Sequence, residues 1–231
     1  MKKIKKDLCE AHIKIKKEKL AIFTFGNISA ISDDRKIMYI KPSGVEYSQL
    51  SPDNIVEILV ETGEIISNGF NPSSDTETHL ELYRAFNCNS IIHTHSEYAS
   101  VFAQSNRPII CSGTTHSDYF RGDIPCTRRL TDVEVLTDYE KNTGKVIIET
   151  FNKIDPMEVP AVVVANHGPF VWGNNINDAV ENSIILEYIA RIQFQSELLL
   201  KNENQRIEDY LIDKHYLRKH GKNAYYGQKN K

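Results

Sequence analysis

The stretch IIHTHSEYA, residues 91–99, decides how this chain reads. Its two isoleucines signal an emerging buried β-strand, and strand side chains alternate faces with a period of two. Continued through residue 95, such a strand projects the imidazoles of His93 and His95 to one side, offering a metal ion two nitrogens. Spacing alone is a weak signal, because any strand with a polar face can carry two histidines hydrogen-bonded to their neighbours. A third histidine strengthens it. His167 lies in VPAVVVANHGPFVWG (159–173), where another apolar run breaks into Asn-His-Gly-Pro, a loop sequence at a strand end. Three imidazoles with an open coordination position are the arrangement of catalytic rather than structural zinc.

Around this pair, residues 76–86 read as a helix, 90–94 as the histidine strand and 97–104 as another short helix. Upstream, residues 21–25, 28–31 and 37–40 read as short strands, and 55–61 with 65–66 flank Thr62-Gly63-Glu64 as a hairpin. Downstream, 146–150 and 161–165 read as buried strands and 177–200 as a long helix. Ile4, Leu8, Ala11 and Ile15 recur at helical spacing, so the flanking lysines are the solvated face of an N-terminal helix. Adjacent strand runs covered by helices imply an α/β fold with a mixed, largely antiparallel sheet.

The 231 residues are 40% hydrophobic and 26% charged, with no Pro/Gly/Ser-rich break, which predicts one domain. The longest uncharged apolar stretch, 159–165, is too short for a membrane span, and the N-terminus lacks a signal-peptide centre, so a cytoplasmic protein is expected. Cys9, Cys88, Cys111 and Cys126 form no Cys-x-x-Cys pair, which suits reduced thiols. A net charge of −3 argues against general nucleic-acid binding, although from Asp213 onward six lysines and arginines face one aspartate. No Gly-x-Gly-x-x-Gly fingerprint occurs, so NAD is not expected.

Three turn segments could cradle an anion: Gly26-Asn27, Ser43-Gly44 and Ser73-Ser74. Glycine lets a backbone N–H approach closely, serine adds a donor, and Ser73-Ser74 precede a helix whose dipole favours negative charge. Ordinary turn and capping chemistry explains each one alone. Asp75, in the first turn of that helix, is a candidate fourth metal ligand. Asp118 lies in GTTHSDYF (113–120), a polar segment read as an exposed loop, where an aspartate can exchange protons with a substrate hydroxyl.

In order, TFGNISA (24–30), KPSGVEYS (41–48), PSSDT (72–76), HTHS (93–96), GTTHSDYF (113–120), IPCTR (124–128), NHGPFVWG (166–173) and DKHYLRKHGKNAYYGQ (213–228) closely resemble the epimerase branch of the class II aldolase and adducin-head family. The resemblance implies a three-layer αβα sandwich in a ring-shaped homotetramer with active sites between subunits. It implies metal ligands at Asp75, His93, His95 and His167, one divalent ion per subunit, zinc by default. It implies Asp118 and Tyr226 as an acid/base pair, the tyrosine from the adjacent subunit. Phosphate sites are implied at Gly26, Asn27, Ser43, Gly44, Ser73 and Ser74, assisted by His215 and Arg218 of a neighbour's basic tail. No role is assigned to Lys229, Asn230 and Lys231.

The implied reaction interconverts L-ribulose 5-phosphate and D-xylulose 5-phosphate. The hydrogen on carbon 4 is not adjacent to the carbonyl, so enolisation cannot invert that centre. Without a dinucleotide, retro-aldol cleavage remains, and a metal that stabilises the dihydroxyacetone enediolate suits it. A sugar-phosphate aldolase of the same family is the alternative, disfavoured by aspartate at position 75 where the aldolases carry glutamate. A non-catalytic adducin-head-like module is disfavoured by retention of the histidines, Asp118 and Tyr226.

Overall fold

The structure, a computed structural model, describes residues 2–67, 69–201 and 205–227. In chain order its elements are α1 (Lys2–Lys17), β1 (Asn27–Ile31), β2 (Ile37–Ile40), β3 (Val56–Leu59), α2 (Thr76–Ala85), β4 (Ser90–His93), α3 (Glu97–Gln104), α4 (Thr114–Ser117), α5 (Asp132–Leu136), α6 (Tyr139–Thr150), β5 (Ala161–Val163), β6 (Pro169–Gly173), α7 (Ile176–Leu199) and α8 (Asp209–His220). The strands form one six-stranded sheet in the order β3-β2-β1-β4-β6-β5.

Strand alternation sorts the core into two layers. Ile28 and Ala30 of β1, Tyr39 of β2 and Ile92 of β4 cluster with Leu8, Ala11 and Ile15 of α1 and with Ala179 and Val180 of α7. Ile31, Met38, Ile40 and Ile91 belong instead to the larger cluster with Leu80, Tyr83 and Phe86 of α2 and Ile147 of α6. Helices therefore cover both faces, as expected of an αβα sandwich. The sheet is largely antiparallel as expected: among the described residues every strand pair is antiparallel, and only the isolated bridge Cys126↔Val163 is parallel.

Two predicted strands are corrected. Residues 146–150 form the end of α6, where Thr143, Val146 and Ile147 make a buried stripe at helical spacing. A Cβ on Gly144 would come within 2.7 Å of the Glu81 Cβ, so this glycine lets α6 lie close against α2. Tertiary packing here overrides the β-branched local preference. Among the described residues, 21–25 pair with no strand; Ile22, Phe23 and Phe25 are exposed and Phe23 has φ 52°. The predicted hairpin is present: Leu59 N donates to the Glu64 carbonyl, Ile66 N donates to the Glu57 carbonyl, and Ile58↔Ile65 forms the bridge between its arms.

Candidate active site

Three different backbone devices bring the histidines to one end of the sheet. His93 is the last residue of β4, opposite Asn27 on β1 and Phe170 on β6. Its buried ring stacks on Phe170, with centroids 4.3 Å apart, and Nδ1–H donates to the Pro169 carbonyl at 3.0 Å. That bond leaves Nε2 with its lone pair free. His95 lies beyond the strand rather than on it and is exposed, yet its Nε2 is 3.0 Å from Nε2 of His93. His167 follows Asn166, whose φ of 62° turns the chain between β5 and β6. The Tyr139 hydroxyl lies 3.4 Å from its Nδ1.

The ligand-capable atoms of His93, His95 and His167 all lie within 4.8 Å of one another. A tetrahedral ion with metal–nitrogen bonds of about 2.0–2.1 Å separates its ligand nitrogens by about 3.3 Å, close to the His93–His95 spacing. Burial pushes the His93 pKa well below the ordinary value, and the neighbouring His167 and His95 push it further. Burial likewise lowers His95 and His167, with Asp75 opposing it in both. Neutral imidazoles are the ligand form, so these residues fit a divalent cation.

Close backbone approach maintains the cluster. A Cβ on Gly168 would stand 2.7 Å from the Thr94 carbonyl oxygen and 3.3 Å from His95 Cδ2. At Gly26, with φ 81°, it would stand 2.8 Å from the His93 carbonyl oxygen. Beneath the site, His79 of α2 is fully buried, its Nδ1 2.7 Å from Ser29 Oγ and its ring 5.9 Å from that of Phe170. Burial pushes its pKa down to about 3.

Asp75 is the N-cap of α2 and accepts a 2.6 Å hydrogen bond from Asn27 Nδ2. It acts on the charges of His95 and His167 but stands outside the group whose ligand atoms converge. The anion-cradle segments also meet at this end. Pro42 and Pro72 form a bridge, Ser43 N donates to the Asn71 carbonyl, and Ser73 N donates to the Lys41 carbonyl, joining 41–44 to 71–74. Gly26 and Asn27 lie beside them against His93.

Lys41 escaped the sequence reading. It is buried, its Nζ donates to the Pro42 and Thr24 carbonyls at 3.2 and 3.4 Å, and burial lowers its pKa. It forms no ion pair among the described residues, so a cation lies beneath the loops that could take a phosphate. The lysine opening KPSG was the available signal. Tyr139 and Gly168 were missed because their partners are distant in sequence.

The proposed acid/base residues occupy a second site. Asp118 ends α4, a short helix rather than a loop, and the same chain's α8 holds its carboxylate. Arg218 donates from Nε and Nη2 at 2.8–3.0 Å, and His215 Nδ1 lies at 3.1 Å. Burial alone would raise the Asp118 pKa; the hydrogen bonds from Arg218 and His215 outweigh it and leave the group below its ordinary value. Tyr226 is exposed, with Arg218 and Lys219 over its ring at 5.0 and 4.7 Å. The Gln228 that ends the sequence motif and Lys229, Asn230 and Lys231 lie outside the described residues.

These two groups lie at opposite ends of the same strands. β6 runs from Phe170, opposite His93, to Gly173, opposite Ser90. Gly173 lines a pocket with Tyr119, Tyr216 and His220, and His220 Nε2 lies 3.0 Å from the Asp118 carbonyl oxygen. Among the described residues no hydrogen bond, ion pair or ring contact joins Asp118 or Tyr226 to His93, His95 or His167.

Comparison with known proteins agrees with this architecture. The model of the Class II Aldolase and Adducin N-terminal domain family matches residues 6–194. The chain is 45% identical over 230 residues, 99% of its length and 100% of the relative's, to L-ribulose-5-phosphate 4-epimerase UlaF of Salmonella paratyphi C (strain RKS4594), and equally so to that of Salmonella typhi. Among solved structures, an L-fuculose 1-phosphate aldolase superposes with a TM-score of 0.75 at 24% identity, covering 92% of this chain and 94% of that one. YgbL of Escherichia coli, a putative aldolase/epimerase/decarboxylase, superposes at 0.72 and 20% identity, covering 92% of this chain and 97% of that one. At those identities the structural likeness concerns the fold, whereas the family match covers most of the chain: this protein belongs to the Class II Aldolase and Adducin N-terminal domain family.

Proposed function

We propose that the chain is a metal-dependent 4-epimerase interconverting L-ribulose 5-phosphate and D-xylulose 5-phosphate. One observation carries this reading: three neutral imidazoles converge in a chain 45% identical, end to end, to an L-ribulose-5-phosphate 4-epimerase. His93, His95 and His167 would hold one divalent ion, zinc by default, with Asp75 as a fourth ligand after release from Asn27. Bound there, such an ion supplies Lewis acidity toward adjacent carbonyl and hydroxyl oxygens, an effect worth several kcal/mol, or about several powers of ten in rate.

The chain's own residues would do the rest. Gly26, Asn27, Ser43, Gly44, Ser73 and Ser74 would receive the phosphate, with Lys41 beneath them and His215 and Arg218 from a basic tail. A base removes the proton of the carbon-4 hydroxyl. The carbon 3–carbon 4 bond breaks, its electron pair passing into the dihydroxyacetone enediolate and leaving glycolaldehyde phosphate. The aldehyde rotates, carbon 3 re-attacks its other face, and an acid returns the proton. The hydroxyl points differently in the two epimers, so two proton-transfer groups, Asp118 and Tyr226, are required.

The distance between the two clusters within one chain supports a shared site. Asp118 and Tyr226 of one copy would serve the histidines of another, in a homotetramer. Small phosphorylated sugars suit a cytoplasmic location. The test supplies L-ribulose 5-phosphate and follows D-xylulose 5-phosphate before and after chelation. Interconversion that stops on chelation and returns with zinc supports the proposal, and undiminished turnover by metal-free protein ends it. Net release of glycolaldehyde phosphate and dihydroxyacetone instead would make the chain an aldolase.

A further inference from the structure

The ladder of β4 with β1 and β6 holds His93, and a turn seated between β5 and β6 holds His167. His95 has neither support. It is exposed, follows the end of β4, and its ring has no hydrogen-bond partner among the described residues except His93. On its N-terminal side Thr94 N donates to the Pro169 carbonyl at 3.4 Å, and on its C-terminal side the chain enters α3 two residues later. Ser96, the N-cap of α3, makes no side-chain capping bond. The cap comes from α7 instead. Glu187 accepts from Tyr98 N through Oε1 at 2.8 Å and from Ala99 N through Oε2 at 3.0 Å. The first amides of a helix are orphan donors at the positive end of its dipole, so a two-pronged carboxylate fixes both the position and the rotation of that turn.

We propose that Glu187 is a positioning residue of the metal site: by clamping the first turn of α3 against α7, it places His95 beside His93. This rests on the reading that the three histidines hold a divalent cation. Removing the clamp should loosen His95 without unfolding α3, because Ala99, Phe102 and Ala103 anchor that helix in the core. Glu187 never touches the ion. It acts through backbone, as outer-shell partners of ligand residues do.

The test titrates cobalt(II) into metal-free full-length wild type, Glu187→Ala, Glu187→Gln and Thr131→Ala proteins, with thermal melting in parallel. Thr131 provides the control, since its side chain caps α5 through a capping box with Glu134 and α5 buries none of its residues. Glu187→Ala should bind cobalt about 10–100-fold more weakly, the usual effect of losing an outer-shell partner. Glu187→Gln, which keeps one acceptor oxygen, should fall between it and wild type. Thr131→Ala should lower the melting temperature but keep wild-type affinity. Wild-type affinity in Glu187→Ala, whatever its melting temperature, overturns the positioning role. If Glu187→Ala fails to fold, wild-type affinity in Glu187→Gln does the same. Failure of wild type to bind cobalt would instead overturn the metal reading beneath it.

Discussion

The Nε2 atoms of His93 and His95 lie 3.0 Å apart, although only His93 belongs to a strand. On a continuous strand, residues i and i+2 sit about 6.7 Å apart with side chains projecting in parallel. The rings converge because the chain leaves the sheet immediately after His93. Strand termination, more than strand periodicity, creates the pair.

Convergence of three neutral imidazoles predicts one divalent cation bound per chain. His95→Ala and His167→Ala should each lose bound metal and about three or more powers of ten in turnover. Metal analysis after dialysis checks the first effect, and a stoichiometric ion retained by both variants would remove the histidines from the ligand set.

Gly168 should tolerate no side chain. Its substitution by alanine pushes a Cβ to 2.7 Å from the Thr94 carbonyl oxygen, against backbone that cannot give way. Gly168→Ala should cost about 1–3 kcal/mol in stability, as overpacking does, and weaken metal binding by displacing His95. Denaturant unfolding and metal titration measure the two effects separately.

The separation of Asp118 and Tyr226 from the histidines predicts complementation. Tyr226→Phe protein should retain metal yet turn over slowly, while His95→Ala protein should lack both metal and turnover. Mixed and reassembled, the two should recover activity that neither shows alone. Absence of rescue in verified mixed oligomers would place the whole reaction within one chain.

Stability should fall on mild acidification. His12 is fully buried; Nδ1–H donates to the Leu8 carbonyl and Nε2 accepts from Ile28 N–H, tying α1 to β1. Burial dominates and pushes its pKa to about 3, as it does for His79. Unfolding restores each to about 6.5, so between these values the unfolded state binds more protons and stability drops as pH falls. The limiting slope is about 1.4 kcal/mol per pH unit for each histidine. Urea unfolding from pH 7 to 4 should show the decline, with a shallower slope in His12→Asn; an unchanged slope would clear His12.

Much of the fold was legible because its pattern is local. The apolar stripe of α1, the alternating faces of β1, β2 and β4, and the loop chemistry of Asn-His-Gly each lie within a few residues. Val146 to Thr150 misled for the same reason. Those side chains favour a strand locally, but Thr143, Val146 and Ile147 meet α2 across a seam that Gly144 keeps narrow. Residues 21–25 look equally strand-like, yet they lead directly into β1, whose two sides β2 and β4 already occupy.

By itself, the sequence determined which chemistry the chain carries: three imidazoles, loops rich in small donors, and a basic tail bearing Asp118's partners and Tyr226. Side-chain type is a local property, so those residues could be named without coordinates. Only the tertiary structure decided how they group. It drew His95 out of the strand to meet His93, put Glu187 on the turn that follows, buried Lys41 where residues 41–44 and 71–74 are joined, and set Asp118 and Tyr226 at the other end of β6. The reason is physical: apart from the His93–His95 pair, which a local strand end creates, each of those arrangements depends on elements far apart in sequence being packed together, and no window of neighbouring residues contains both partners.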